Sequence, residues 1–177
     1  MRSPCRQALR SKEAAWGDEA SKLIAAAGSV SFFAAASMAL AQPLSPNGVK
    51  TLAPAGAIQP TGPWNLGTRA GDFIYIAGMR GIDPSSNTLV AGDEARIRQG
   101  FHNMQMIAQS EGASLRDCVR IVVYVTDMFC FRPVVNKVQK ELWGRGPYPP
   151  RTIVEVHRLN QDDIFEVEGT FYAPLKA

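Results

Sequence analysis

Residues 151–171 read RTIVEVHRLNQDDIFEVEGTF, and this stretch decides the fold. Its two ends alternate in polarity and are rich in β-branched and aromatic side chains, which is typical of strands. The asparagine and aspartates at 160–163 favour a turn between them. The pattern therefore predicts two strands, at 151–156 and 164–171, paired as a hairpin.

The two faces of this predicted hairpin differ in chemistry, because side chains alternate sides along a strand. One face is apolar and requires a core, whereas the other carries Arg151, Ile153, Glu166 and Glu168. The polar face is either a solvated surface with ion pairs, each contributing about 0–1 kcal/mol, or a functional site. The apolar face consists of Thr152, Val154 and Val156 from the first strand and Phe165, Val167 and Phe171 from the second.

The composition is that of an ordinary globular protein with one domain. Of 177 residues, 46% are hydrophobic and 20% are charged. Residues 1–41 hold five Lys or Arg and three Asp or Glu, and residues 42–177 hold fourteen and thirteen, so the net charge of +3 lies mostly at the amino terminus. A nearly neutral domain without a basic stripe gives no indication of nucleic-acid binding.

Cysteines and histidines are too few and too scattered for a metal site. Cys5, Cys118 and Cys130 form no CxxC motif, and neither His102 nor His157 stands at ligand spacing from a cysteine. We therefore expect no metal. A disulfide between Cys118 and Cys130 is possible, but two buried thiols are the favoured interpretation.

The amino-terminal segment predicts export. Residues 23–41 carry no charge, follow Lys22 and end in the small-x-small pattern that precedes signal cleavage. We expect residues 1–41 to be a signal peptide cut between Ala41 and Gln42, which leaves a periplasmic or secreted protein without stable membrane association. An uncleaved anchor is the alternative. Three acidic residues before the apolar run are unusual and suggest that translation starts downstream of Met1.

The following chain divides into an arm and a domain. Residues 42–60 are rich in proline and predict an extended amino-terminal arm with a short strand near 49–52. The domain, residues 61–177, opens with a turn-rich loop around Trp64, which is either a lid over the core or the wall of a pocket. A strand at 72–78 then ends in Gly78, and a glycine there permits close approach of a ligand or a neighbouring strand.

Two amphipathic helices and a central strand complete the pattern. Residues 93–111 carry apolar side chains at helical spacing, with His102 and Asn103 off the apolar stripe. Residues 119–126, VRIVVYVT, predict a strand covered on both faces. A second helix is predicted from Pro133 to about Trp143. The order predicts an α+β fold: a mixed sheet of about six strands with two helices on one face, and a second face that faces water or self-associates.

The ordered set of motifs resembles the RidA (YjgF) family of reactive intermediate deaminases. The resemblance runs from about Leu52 to Phe171, nearly the whole domain. It rests on Gly62-Pro63, Ile76-Ala77-Gly78, Val135-Asn136, Pro150-Arg151 and Glu166-Val167-Glu168. It implies a chorismate-mutase-like fold and a homotrimer, in which the sheets form an inner barrel and active sites lie between subunits. It also implies hydrolysis of enamines and imines to 2-oxo acids and ammonia, without a cofactor.

The resemblance assigns roles to individual residues. Arg151 matches the arginine that binds the substrate carboxylate, which a guanidinium does through two parallel hydrogen bonds. Glu166 matches the glutamate that we expect to orient water and move protons. Gly78 offers backbone groups to the substrate, and Asn136 is a candidate contact from an adjacent subunit.

Three positions depart from the family pattern. Trp64 replaces a usual tyrosine, Ala77 a common serine, and Ile153 a common cysteine. Each change adds apolar surface, so with Trp64 and Ile153 in the substrate-binding set we expect a larger or more apolar substrate than 2-aminoacrylate. Two alternatives stay open: a non-catalytic trimeric ligand-binding or interaction module, and a deaminase of a catabolic enamine such as 2-aminomuconate.

Overall fold

The computed structural model describes residues 45–175, and the predicted signal peptide with its cleavage site lies outside them. Two α-helices, α1 (Asp93–Ser110) and α2 (Met128–Trp143), accompany the strands. Short 3-10 turns span Leu115–Asp117 and Asn160–Asp162. The strands are β1 (Lys50–Leu52), β2 (Gly67–Ala70), β3 (Phe73–Met79), β4 (Ile82–Asp83), β5 (Thr88–Leu89), β6 (Cys118–Val125), β7 (Arg151–Glu155) and β8 (Phe165–Tyr172).

Six strands form one mixed sheet in the order β1-β2-β3-β8-β6-β7, which confirms the predicted α+β architecture. The predicted hairpin of β7 and β8 is wrong, because β6 lies between them. β7 pairs with β6 in parallel, and β8 pairs with β6 and β3 in antiparallel fashion. A parallel pair requires a long crossover connection, which α2 provides. The turn formers at 160–163 therefore join strands that are near but not adjacent.

The register of β6 decides which side chains share a face. Val123 pairs with Ile153 on one side and Val167 on the other, so these three point the same way. By the same register Glu166 shares its face with Val154, which is 39% exposed. The prediction that Arg151 and Glu166 share a face is therefore wrong, as is the prediction that Val154 faces the core. Both errors follow from assuming a hairpin.

The two helices cover one face of the sheet and enclose the core. In α1, Phe101 packs against Trp143 of α2 at a ring-centroid distance of 5.9 Å and against Phe165 of β8 at 5.2 Å. His102 is exposed as expected. Asn103, predicted to lie off the buried stripe, is instead 3% exposed, because its side-chain amide bonds backbone carbonyls after β3.

The second helix begins earlier than the sequence predicts. It starts at Met128 with Asp127 as its N-cap, whose carboxylate accepts a hydrogen bond from the Cys130 amide at 2.8 Å. Pro133 lies inside the helix rather than at its start. A proline there removes one helical hydrogen bond, and Pro133 is on an exposed part of the helix.

The opposite face of the sheet has no helix over it in the single chain. Phe73, Tyr75 and Tyr172 are 39%, 47% and 44% exposed. Phe73 contacts both tyrosine rings, at centroid distances of 6.4 Å and 5.3 Å. This confirms that one sheet face is left uncovered by the helices.

Cys118 is a free, buried thiol in β6, so it forms no disulfide with Cys130, which is half-buried. Burial raises the pKa of the Cys118 thiol to about 12, and the group stays protonated at neutral pH. Within residues 45–175, no helix is both long and apolar enough to cross a membrane.

Candidate active site

A cavity of about 310 Å³ opens beside Glu166, and we call it the Glu166 cavity. Its walls come from the arm, the loop before β2, the end of β3, the turn before β8, and β8 itself. The structure thus places Trp64 as a wall of a pocket, which was one of the two expectations. The lining residues are Ile58, Thr61, Trp64, Ala77, Gly78, Arg80, Ile82, Asn160 and Glu166.

Gly78 makes room for the carboxylate of Glu166. A methyl group built on Gly78 would overlap the Glu166 side chain, with the carboxyl carbon only 2.6 Å away. The ladder between β3 and β8 is irregular at this place, between Ile76 and Met79. Gly78 was predicted to permit close approach of a ligand or a strand. Here a glycine is required because the Glu166 side chain of the same chain lies against it.

Burial and neighbouring charges both act on the pKa of Glu166. Its side chain is 26% exposed. Burial raises the pKa of Glu166 above its ordinary value, and the neighbouring carboxylates of Asp163 and Glu168 raise it further, whereas Arg80 lowers it. A carboxyl group with a raised pKa is suited to exchange protons near neutral pH.

Arg80 and Asp163 were not predicted as site residues, although Arg80 lines the Glu166 cavity and both lie near Glu166. Arg80 is 5% exposed and its Nε lies 4.0 Å from Glu166 Oε2. Asp163, which the pattern indicated only as a turn former, is 1% exposed. The one available signal was the position of Arg80 two residues after Gly78, at a strand end that already carried a motif.

A second cavity, of about 460 Å³, opens beside Arg151 between α2 and β7, and we call it the Arg151 cavity. It shares no lining residue with the Glu166 cavity. Its lining residues are Asn136, Gln139, Lys140, Tyr148, Pro149 and Arg151.

Two amide side chains of α2 hold the guanidinium of Arg151. Its Nη1 donates to Gln139 Oε1 at 2.7 Å, and its Nη2 donates to Asn136 Oδ1 at 2.8 Å. In the described part of the chain, no carboxylate lies within ion-pair distance of Arg151. The side chain is therefore oriented by neutral groups that leave its positive charge uncompensated, as a carboxylate-binding site requires.

The predicted site residues fall into two groups within one chain. Trp64, Gly78 and Glu166 line one cavity, and Asn136 and Arg151 line the other. Asn136 was predicted as a contact from an adjacent subunit, but it bonds Arg151 of its own chain. Ile153 shares a face with Arg151, is half-buried, and is not among the lining residues of either cavity.

The sequence of the chain matches a family model and several known proteins. The sequence model of the family described as Endoribonuclease L-PSP matches residues 54–173. A 2-iminobutanoate/2-iminopropanoate deaminase from Dermatophagoides farinae is 32% identical over 116 residues, 64% of this chain and 88% of the relative.

Two solved structures share the fold. A probable translation initiation inhibitor from Rhodopseudomonas palustris is 54% identical, with a TM-score of 0.70 over 72% of this chain and 99% of that one. RidA from the Antarctic bacterium Psychrobacter sp. is 32% identical, with a TM-score of 0.66 over 70% and 98% of the two chains.

The six-stranded sheet with two helices on one face defines a small α+β protein of chorismate-mutase-like architecture. The chain belongs to the Endoribonuclease L-PSP family, which includes the RidA and YjgF proteins. Relatives named as deaminases support small-molecule binding and imine deaminase activity in general terms.

Proposed function

We propose that the protein hydrolyses 2-imino and 2-enamino acids to 2-oxo acids and ammonia, in sites formed between the subunits of a homotrimer. One observation carries the proposal: an uncompensated arginine and a half-buried glutamate occupy separate open cavities of one chain. Their side chains lie on opposite faces of the sheet. A site that uses both is therefore completed by bringing the Arg151 cavity of one chain against the Glu166 cavity of another.

Arg151 binds the substrate carboxylate in this proposal. Arginine presents two parallel N–H donors that match a carboxylate, and such charge-assisted bonds are about twice as strong as neutral ones. Asn136 and Gln139 fix the guanidinium before substrate arrives, so little side-chain entropy is lost on binding. The bound acid then projects its imine carbon toward the glutamate.

Glu166 orients the attacking water and moves the protons. An enamine first takes a proton from solvent on its β-carbon and becomes the protonated imine. Water then adds to the carbon of the protonated imine, and one of its protons passes to the Glu166 carboxylate. Glu166 then returns that proton to the nitrogen of the tetrahedral carbinolamine. The C–N bond breaks and ammonia leaves, while the remaining hydroxyl proton passes to the Glu166 carboxylate and from there to solvent, which leaves the 2-oxo acid. The reaction needs positioning and proton transfer, to which effective concentration contributes strongly.

The walls of the Glu166 cavity favour an apolar substrate side chain. Trp64, Ile58 and Ile82 contribute apolar surface, and Ala77 adds no polar group. Imines of leucine or phenylalanine bury more apolar area against these walls than 2-aminoacrylate does, at about 25 cal/mol per Å². We expect turnover to be faster for the larger imines.

The test is ammonia release from imino acids generated in place by an amino-acid oxidase. We expect the protein to accelerate release, and Arg151→Ala and Glu166→Gln to abolish the acceleration while the trimer is retained. Arg98→Ala and Glu141→Gln are matched controls, because these residues form an exposed ion pair with each other. No acceleration by the folded wild-type protein on any imine would contradict the proposal and favour a ligand-binding module, whose ligand a carboxylate-containing panel would then identify.

Two further outcomes of the same panel are informative. Preference for the smallest imine would contradict the apolar-pocket expectation. Preference for a dicarboxylic enamine such as 2-aminomuconate would favour a role in catabolism, since that compound also presents a carboxylate to Arg151.

Export of the protein is a separate proposal that rests on residues 1–41. We expect the mature protein to begin at Gln42 and to be recovered outside the cytoplasm. Amino-terminal sequencing after cell fractionation tests this, and full-length protein confined to the cytosolic fraction would contradict it.

A further inference from the structure

A buried cluster of charges borders the Glu166 cavity, and Arg80 is one of the residues that line it. Arg80 and Asp163 are 5% and 1% exposed. Arg80 Nη1 lies 3.9 Å from Asp163 Oδ2, and Arg96 Nη1 lies 3.7 Å from Asp163 Oδ1. With Arg80 Nε 4.0 Å from Glu166 Oε2, the row of charges runs from Arg96 through Asp163 and Arg80 to Glu166.

The guanidinium of Arg80 is fixed by its surroundings. Its Nη1 donates to the carbonyl of Asn160 at 2.7 Å and to Gln161 Oε1 at 3.1 Å, both in the turn before β8. The backbone carbonyl of Arg80 in turn accepts from Asn103 Nδ2 at 3.0 Å. Arg80 is therefore clamped between α1 and this turn, with its Nε edge directed at the carboxylate of Glu166.

Asp163 is bound less completely than its burial demands. Its Oδ1 accepts from the Ile164 amide at 2.7 Å, but its buried Oδ2 has no hydrogen-bond partner among the described residues. Both arginine contacts are longer than a hydrogen bond. A buried ion pair with such geometry is a poor source of stability, since desolvation offsets much of the attraction. Its position beside the cavity points to an electrostatic role.

We propose that Arg80 and Asp163 are a positioning pair that sets the protonation state of Glu166: Arg80 favours the carboxylate and Asp163 favours the protonated acid. The inference rests on the proposed role of Glu166 as the group that moves protons. Neither residue needs to contact the reacting atoms. Arg80 acts across 4.0 Å from Glu166, and Asp163 acts through space by its negative charge.

Four charged or titratable groups lie around Glu166, and three of them, Arg80, Asp163 and Glu168, act on its protonation. Arg80 follows β3, Asp163 precedes β8, and Glu168 is two residues along β8. Tyr124 of β6 lies opposite Glu166 in the sheet register. Burial, with help from Glu168 and Glu166, raises the pKa of Tyr124, so it stays neutral while Glu166 titrates. Arg80 is the one cation in this set, and removing it therefore has a different sign from removing Asp163.

The experiment compares Arg80→Met with Asp163→Asn. Removal of the cation raises the pKa of Glu166, so the acid limb of the kcat/KM profile moves up by about one pH unit. Removal of the buried carboxylate moves the limb down by a smaller amount. The double variant lies between the two. A purely structural role would lower activity in both single variants without moving the limb in opposite directions.

Direct titration separates this inference from the proposed reaction. The protein is labelled with 13C at glutamate carboxyl groups, and the Glu166 signal is assigned by its loss in Glu166→Gln. Opposite shifts of its pKa in the two variants support the pair even if catalysis does not follow, in which case the proposed role of Glu166 fails and the inference stands. Unchanged Glu166 titration in both variants overturns the inference.

A conservative variant guards against misfolding. Arg80→Lys retains the charge, so the pKa of Glu166 is expected to move much less than it does when the cation is lost. If Arg80→Met does not fold, a downward shift in Asp163→Asn with no shift in Arg80→Lys supports the proposal. Equal shifts of the Glu166 pKa, with the same sign, in Arg80→Lys and Asp163→Asn overturn it.

Discussion

The Arg151 cavity and the Glu166 cavity differ in the groups that surround their charged side chains. Arg151 is held by the neutral side chains of Gln139 and Asn136, which fix its direction and leave its charge available. Glu166 lies 4.0 Å from Arg80, with Asp163 on the far side of Arg80, so a cation and a carboxylate act on its protonation with opposite signs. Arg151 is thus left free to bind a charged ligand, whereas the protonation of Glu166 is set by burial and by its charged neighbours.

The two cavities also differ in the sheet faces that they use. The register through β6 places Arg151 on the helix-covered side and Glu166 on the uncovered side. The uncovered side carries the exposed rings of Phe73, Tyr75 and Tyr172. Burial of such rings against another copy of the chain would release water from apolar surface, and this is the surface on which we expect the trimer to form.

The largest expected effect tests the charge-binding cavity. Arg151→Lys keeps the charge but loses the planar pair of donors and both amide contacts in their present geometry. We expect kcat/KM for imino acids to fall about 100-fold or more, because the two parallel charge-assisted bonds to the substrate carboxylate are lost. Steady-state ammonia release measures this. A loss of less than about threefold would show that charge alone suffices and that the orientation by α2 is unimportant.

A smaller effect is expected when only the orientation of Arg151 is disturbed. Gln139→Met removes the hydrogen-bond acceptor at Nη1 while it preserves side-chain volume at a position that is 5% exposed. Loss of one hydrogen bond to a charged group amounts to about 1.5–3 kcal/mol, so KM should rise about tenfold or more while kcat changes less. Val134→Ala, on the same helix, is the control. An unchanged KM would contradict the positioning role.

The smallest effect concerns stability and tests the glutamate cavity. Because burial raises the pKa of Glu166, the folded chain binds more protons than the unfolded chain between the ordinary pKa of 4.5 and the raised value. Stability from this group is therefore present at low pH and is lost as pH rises through that window. Glu166→Gln has no carboxyl group to ionise at this position, so it does not lose this stability as pH rises.

The measurement is Tm as a function of pH for both proteins. We expect Glu166→Gln to be more stable than wild type by about 2–4 °C at pH 8, with the gap closing toward pH 4. A gap that widens on acidification would mean that Glu166 is stabilised as a carboxylate, and would contradict the raised pKa.

The sequence predicted those elements whose signals are local. The helical spacing of apolar residues in α1 and the β-branched run of β6 placed both within one or two residues of their bounds. The hairpin failed because strand pairing is non-local: residues 151–171 contain no information that β6 inserts between β7 and β8. The start of α2 was misplaced because Pro133 is a stronger signal in isolation than the Asp127 N-cap that begins the helix.

In the candidate site, too, the residues that depend on non-local contacts were not predicted from the sequence. The resemblance to the RidA family predicted Arg151 and Glu166 as site residues, and Gly78 also stood out at its strand end. The overlap that a Gly78 side chain would make with Glu166 gives that glycine a physical reason. Arg80 and Asp163 could not be paired from sequence, because they approach only when the turn before β8 folds over the end of β3. Asn103 was missed as well, since a buried asparagine is distinguished from a surface one only by the carbonyls that it bonds.

The most direct test of the central claim, that each active site combines Arg151 of one chain with Glu166 of another, is to co-express Arg151→Ala and Glu166→Gln chains carrying different affinity tags. Each variant alone is inactive in this account. In mixed trimers, random assortment restores complete sites at about one quarter of positions, so activity should return to about 25% of wild type. Mixed trimers that are as inactive as either parent would contradict the account and place both residues of each working site in the same chain.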